Sequence, residues 1–140
     1  MREILFRGKR VDNGEWIEGH YVRYGYTGKE NDYIVPVYAS DLYAIEVIPE
    51  TVGQYTGLTD KNGKKIFEGD IVQRRNKELL LNNIFDFKIV FIPVKACFTA
   101  VDISGGNVTF ISDYINNKYD IEVIGNIHDN PELLDGVRNG

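Results

Sequence analysis

Cys97 is the single cysteine of the 140-residue chain and the residue that most invites a chemical reading. It lies in the run VKACFTAVD, and a thiol attacks only where a neighbouring base activates it and solvent reaches it. Strand alternation puts Cys97 with Lys95 and Thr99 on one face and Ala96, Phe98 and Ala100 on the other. Its face is the more polar one. The only imidazoles are His20 and His128, and the fold would have to bring one of them to the sulfur. A half-buried structural thiol accounts for Cys97 more simply. For a metal, Asp60, Asn62 and Asp70 surround one expected turn, where oxygen ligands two residues apart face one cation. The rest of a calcium loop is missing, including its bidentate Glu. One cysteine and two remote histidines make no zinc set. Nucleophile elbow, phosphate loop and HExxH motif are all absent from the sequence. The expectation is a chain without cofactor or metal that is not an enzyme.

Two groups of side chains fit binding better than catalysis. Tyr21, Tyr24, Tyr26, Tyr33, Tyr38 and Tyr43 crowd the N-terminal third, and tyrosine is favoured where an apolar body meets a partner and a hydroxyl meets water. A half-buried sheet face uses tyrosine for the same reason, so an interaction surface and an ordinary sheet face remain equal alternatives. The second group is Lys61, Lys64, Lys65, Arg74, Arg75 and Lys77, with Phe67 nearby, a patch that a small β-barrel would use on nucleic acid. Asp60, Glu68, Asp70 and Glu78 interleave with it and cut its field, which favours a solvated hairpin of mixed charge.

The elements that must position these groups are strands. Apolar segments are short, rich in β-branched and aromatic residues, and bounded by Gly, Asn, Asp or Pro. Strands are predicted at Ile4 to Arg7, Trp16 to Tyr24, Tyr33 to Tyr38, Tyr43 to Ile48, Lys65 to Phe67, Asp70 to Arg74, Phe87 to Ile92, Lys95 to Asp102, Val108 to Ile111 and Ile121 to Asn126. Trp16, inside the second of these, is expected to be at least half buried. Asn13-Gly14 and Asn62-Gly63 predict type I′ hairpin turns, and Ser104-Gly105-Gly106-Asn107 predicts a looser third hairpin. Short helices are expected at Asn76 to Asn83 and from Pro131, the latter pressing Leu133 and Leu134 onto the core. The segments VDNGEWIEGHYV and TDKNGKKIFEGDIV each read turn, strand, Glu-Gly, strand. Shared turn chemistry explains this echo more readily than a duplication.

Composition sets limits on partners. With 43% hydrophobic residues the chain has the apolar surface to fold. The net charge is −5, of which residues 1–58 carry −3 and residues 59–140 carry −2. Even acidity disfavours phosphate binding, which runs on Lys and Arg. A lone cysteine fits a reducing cytosol, and the charged start MREILFRGKR and short apolar runs argue against export or membrane insertion.

Three blocks, REILFRGKRVDNGEWIEG, ETVGQYTGLTDKNGKKIFEGDIV and IEVIGNIHDNPELL, together resemble the YopX family of phage and prophage proteins, in order and across nearly the whole chain. The resemblance implies an all-β fold, mainly β with one or two short helices, in which an N-terminal β-hairpin/sheet region (1–58) packs on an SH3-like small barrel (59–140), the two forming one compact unit. It carries over no activity. The expected function is that of a phage accessory protein binding a protein or copies of itself in the host cytosol. The alternative is a nucleic-acid-binding small barrel.

Overall fold

The computed structural model describes residues 2–38, 43–76, 84–105 and 119–135, and the backbone of 108–110. Its strands are β1 (Phe6–Lys9), β2 (Trp16–Tyr26), β3 (Lys29–Pro36), β4 (Ile45–Glu46), β5 (Gly53–Thr59), β6 (Lys65–Phe67), β7 (Asp70–Asn76), β8 (Ile84–Ile92), β9 (Cys97–Asp102), β10 (Val108–Phe110) and β11 (Tyr119–Asn126). Short 3-10 helices occur at Pro49–Thr51, Pro93–Lys95 and Pro131–Asp135. The protein is all-β. The chain divides into two compact units, Met1–Gly57 and Leu58–Gly140, with β5 running across the boundary.

In the first unit the antiparallel strand order is β4-β3-β2-β1-β5. Its core is Ile17, Ile34 and Val47, with Phe6, Tyr21, Ile45 and Val52 packed around them. In the second unit the order is β10-β9-β8-β7-β11, again antiparallel throughout. Its core is larger: Ile66, Val72, Phe87, Ile89, Ala100 and Ile121, flanked by Leu58, Phe98, Tyr119 and Val123. Each such side chain, once buried, contributes about 1.5–3 kcal/mol before entropy is counted.

The two Asn-Gly turns form, but not as type I′. Neither Asn13 nor Asn62 has a positive φ; only the following glycines do, at +73° for Gly14 and +79° for Gly63. The Asp60 N–H donates to the Lys64 carbonyl (2.8 Å), so three residues, 61 to 63, make the second loop. A loop of that length needs one left-handed residue after a type I turn, and Gly63 supplies it. The Asp60 carboxylate closes it: Oδ1 accepts from the N–H groups of Asn62 and Lys64 (2.8 and 2.9 Å), and Oδ2 from Val123 of β11 (3.0 Å). At the next turn, Asp70 Oδ2 accepts from the Phe67 N–H (2.7 Å) while Gly69 bends the chain at φ +92°. The third hairpin joins β9 to β10, with Asp102 Oδ1 accepting from the Ser104 N–H and hydroxyl and the Gly105 N–H.

Several expectations are corrected. β5 lies where no strand was expected, and β2 and β3 run to Tyr26 and from Lys29, joined by Thr27-Gly28. The Pro131 helix is a 3-10 helix of five residues, and Leu134 is exposed while Leu133 is half-buried. Its expected cap, Asn130, spends its side-chain oxygen on the Asn126 N–H (3.2 Å) instead. Thr99, assigned with Cys97 to a more polar face, is fully buried. The helix expected at Asn76 to Asn83 falls, beyond Asn76 in β7, outside the described residues.

Candidate protein-binding surface

Two backbone hydrogen bonds fix the phase of β2. Val37 N–H donates to the Glu18 carbonyl (3.2 Å) and Arg10 N–H to the Glu15 carbonyl (2.9 Å). Even-numbered β2 residues therefore bond toward β3, and odd-numbered ones toward β1. Side chains divide by the same parity. Ile17, Gly19 and Tyr21 face inward, where the Tyr21 hydroxyl donates to the buried Asp32 carboxylate and the Phe6 ring lies 5.4 Å away. Burial first, then that carboxylate, hold the Tyr21 phenol above its ordinary pKa. Outward lie Glu18, His20, Val22, Tyr24 and Tyr26, all exposed. Across the ladder stand Val37, Val35, Tyr33, Asn31 and Lys29.

This outer face carries much of the exposed apolar surface of the unit: Val22 is 41% exposed, Tyr24 72%, Tyr26 85% and Val37 62%. Beyond Gly19 no β1 residue pairs with β2, and β4 pairs only with Tyr33 and Ile34 of β3. Residues 20–26 with their β3 partners thus form an arm whose β2 edge is uncovered and which, from Tyr24 to its tip, has water on both faces.

The six tyrosines fall in three places. Tyr21 belongs to the core edge, and Tyr33 is half-buried on the outer face opposite Val22. Tyr24 and Tyr26 mark the arm. Tyr38 and Tyr43 sit at its base, where burial first, then the neighbouring Tyr38, raises the Tyr43 phenol above its ordinary pKa. Base and arm tip are roughly 25 to 30 Å apart at strand spacing. The base opens on a cleft of about 260 Å³ lined by Arg10, Glu15, Trp16, Glu18, Val37 and Tyr38. Trp16 is half-buried there, with the Arg7 guanidinium 4.6 Å and the Lys9 ammonium 5.6 Å over its ring. Arg10 is engaged by Asp12 at 2.7 and 2.9 Å, which lowers the Asp12 carboxyl and raises the guanidinium. Trp16 is half-buried as expected; Val22 was missed as a surface residue, although period-2 alternation from Trp16 to Tyr26 puts it on one face with Tyr24, and Val37 joins that face only through its register opposite Glu18.

The basic group is scattered differently. Lys61 Nζ is 3.5 Å from Glu122, Lys64 is exposed at the turn, and Lys65 is half-buried in β6. Arg74 is held among the rings of Phe85, Phe87 and Tyr119 at 4.9, 5.4 and 4.7 Å. Arg75 is exposed opposite Asp120, and Lys77 lies outside the described residues. Phe67 is buried, so it offers no ring to a base. Of the candidate cation ligands, Asp60 and Asp70 spend carboxylate oxygens on backbone N–H groups. Among the described residues no group of three His, Cys, Asp or Glu comes together as metal ligands. Cys97 is half-buried opposite Ile92, and in strand order β8 and β7 stand between its strand and β11, which His128 follows. No helix among the described residues is long and apolar enough to cross a membrane.

Known proteins place the fold. Among curated proteins none matches. The crystal structure of protein EF1440 from Enterococcus faecalis is similar, at 23% identity and a TM-score of 0.57, over 96% of this chain and 99% of that one. At that identity the likeness is one of fold. The family model described as YopX protein matches residues 5–135. The chain belongs to the YopX family.

Proposed function

We propose that this chain is a non-enzymatic phage or prophage accessory protein that works in the host cytosol by binding another protein through the outer face of β2 and β3. The single observation that carries the reading is the row Val22, Tyr24, Tyr26 and Val37, exposed together on a sheet face that continues into an arm. Apolar and aromatic surface of that kind costs free energy in water and returns it when covered. Tyrosines add rigid contact area with a hydroxyl for polar partners. The second unit is read as an SH3-like small barrel, a reading supported by the sharp bend at Gly69 between β6 and β7.

Nucleic acid is the weaker alternative. Of its candidate cations, Lys61 is paired with Glu122 and Arg74 is enclosed by aromatic rings, and the net charge of −5 opposes phosphate. Affinity capture with nuclease and raised salt separates the two. The expected result is a protein retained through both treatments and lost from Tyr24→Ser/Tyr26→Ser. Recovery of nucleic acid alone, released by salt, overturns the reading.

A further inference from the structure

We infer that the arm pairs with the arm of a second copy, β2 against β2 in antiparallel fashion about a two-fold axis at Arg23. The inference rests on the protein-binding reading and names the partner. Odd-numbered β2 residues direct their N–H and C=O groups away from β3, and past Gly19 the β1 strand that receives them has ended. Tyr21, Arg23 and Gly25 therefore present six backbone groups along an edge that no strand of the described residues covers. Such an edge is a template for another strand.

Length chooses the occupant. With Arg23 on the axis, Tyr21 meets the partner copy's Gly25 and Gly25 meets its Tyr21, so all six groups find partners. In that register residue 26 lies opposite 20, and the Thr27-Gly28 turn of each arm ends where β1 of the other begins. The free edge is as long as the arm that would fill it. Side chains agree with this register. On the outer face Val22 stands across from Tyr24 and His20 from Tyr26, and aromatic with β-branched pairs are among the favourable cross-strand neighbours. Charge permits it as well: within residues 20–32, Arg23 and Lys29 balance Glu30 and Asp32, so neutral arms meet although the chain carries −5. Arg23 opposite itself is the one unfavourable pair, and Asp32 lies beside it on β3 in each copy. An isologous contact of this sort closes on itself and builds no fibre.

Light scattering at raised protein concentration should give twice the chain mass. Arg23→Pro should restore the single mass, because the lost N–H belongs to the open edge and the ladder to β3 keeps all its donors. A second test does not depend on proline being accommodated. In Arg23→Cys/Cys97→Ser the two axial thiols fall at the Cα spacing of a bonded antiparallel pair, about 5.5 Å, which a disulfide spans. Oxidised glutathione takes up the two electrons and two protons as two glutathione thiols, and a covalent dimer forms. In Tyr26→Cys/Cys97→Ser the two thiols lie roughly 20 Å apart along the strands and should stay unlinked. A single chain mass throughout, or equal crosslinking at both positions, overturns the inference. If capture of another protein still depends on Tyr24 and Tyr26, the protein-binding reading survives that result; if it does not, both fall.

Discussion

Glu18-Gly19 and Glu68-Gly69 occupy matching places in two similar stretches of sequence, yet one pair lies inside a strand and the other turns the chain. At the first, β2 continues straight through Gly19, bonded to β1 at Phe6 and facing Pro36 of β3. At the second, β6 ends at Phe67 and β7 begins at Asp70. The residue after the glycine decides. The His20 side chain stands exposed on the outer face of β2, whereas the Asp70 carboxylate takes the Phe67 N–H and Gly69 gives its own N–H to Ile89 (2.8 Å). The preceding turns differ in the same sense. Asn13 gives one exposed amide oxygen to Glu15, while Asp60 gives a buried carboxylate to three N–H groups, one of them on β11. The side chain that closes the turn therefore reaches another strand in the second unit and stays local in the first.

The largest test of this contrast is Asp60→Ala. It removes the buried acceptor of three part-buried N–H donors, one of them on β11, and should cost about 3 kcal/mol, read from urea unfolding. Asn13→Ala, which frees one exposed N–H, should cost less than about 1 kcal/mol. Equal effects would break the comparison. Asp70→Ala comes next, at about 2 kcal/mol, because the side chain is 1% exposed and its carboxylate holds the turn shut.

Gly63→Val and Gly69→Val should each cost about 1–2 kcal/mol in thermal or urea unfolding, since a β-branched residue is strained at φ +79° and +92°. A Cβ at Gly69 meets His128 only at van der Waals distance, 3.6 Å, but the valine methyls beyond it enter a buried position, whereas Gly63 is exposed and faces open space. Gly69→Val should be the worse of the two. Unchanged stability in both would remove the account of these turns.

Strand chemistry and turns were legible because β-branched and aromatic residues alternate between Asn-Gly and Gly-Gly breaks. The arm was not. Lys29-Glu30-Asn31 reads as loop by composition, but polar residues cost a strand nothing when water lies on both sides, and the buried Asp32 that follows is satisfied by the Tyr21 hydroxyl. β5 was missed for a related reason: GQYTGLT alternates weakly and ends near Gly57, whose φ is +90°. The tyrosines read as one crowd because sequence distance hides a hairpin; the β2–β3 ladder puts Tyr26 at its tip, while Tyr38 follows its other end at Pro36. Arg74 read as a surface cation because its cage arrives from two other strands, β8 and β11. Such partners become visible only with register.

The smallest effect separates carboxylate-closed turns from amide-closed ones by pH. Burial pushes the Asp102 carboxyl up, but the Ser104 hydroxyl, the Ser104 and Gly105 N–H groups and the Arg74 charge outweigh it, and the net pKa lies below the ordinary value. A carboxyl lowered by folding stabilises the native state at pH values above its unfolded pKa. That contribution disappears as pH falls from about 4 through the folded value. Asp102→Asn keeps the shape and one acceptor oxygen, so at neutral pH it should cost about 1 kcal/mol or less. Between about pH 4 and pH 2 its stability should fall less steeply than that of the parent, because the group that protonates is gone. The turn closed by Asn13 also carries a lowered carboxyl, Asp12 beside Arg10, but Asn13→Ala leaves that carboxyl in place and should leave the acid slope where it was. Urea midpoints measured across that range for the three proteins test the distinction: parallel acid slopes for parent and Asp102→Asn would show that the β9–β10 turn does not draw on carboxylate charge.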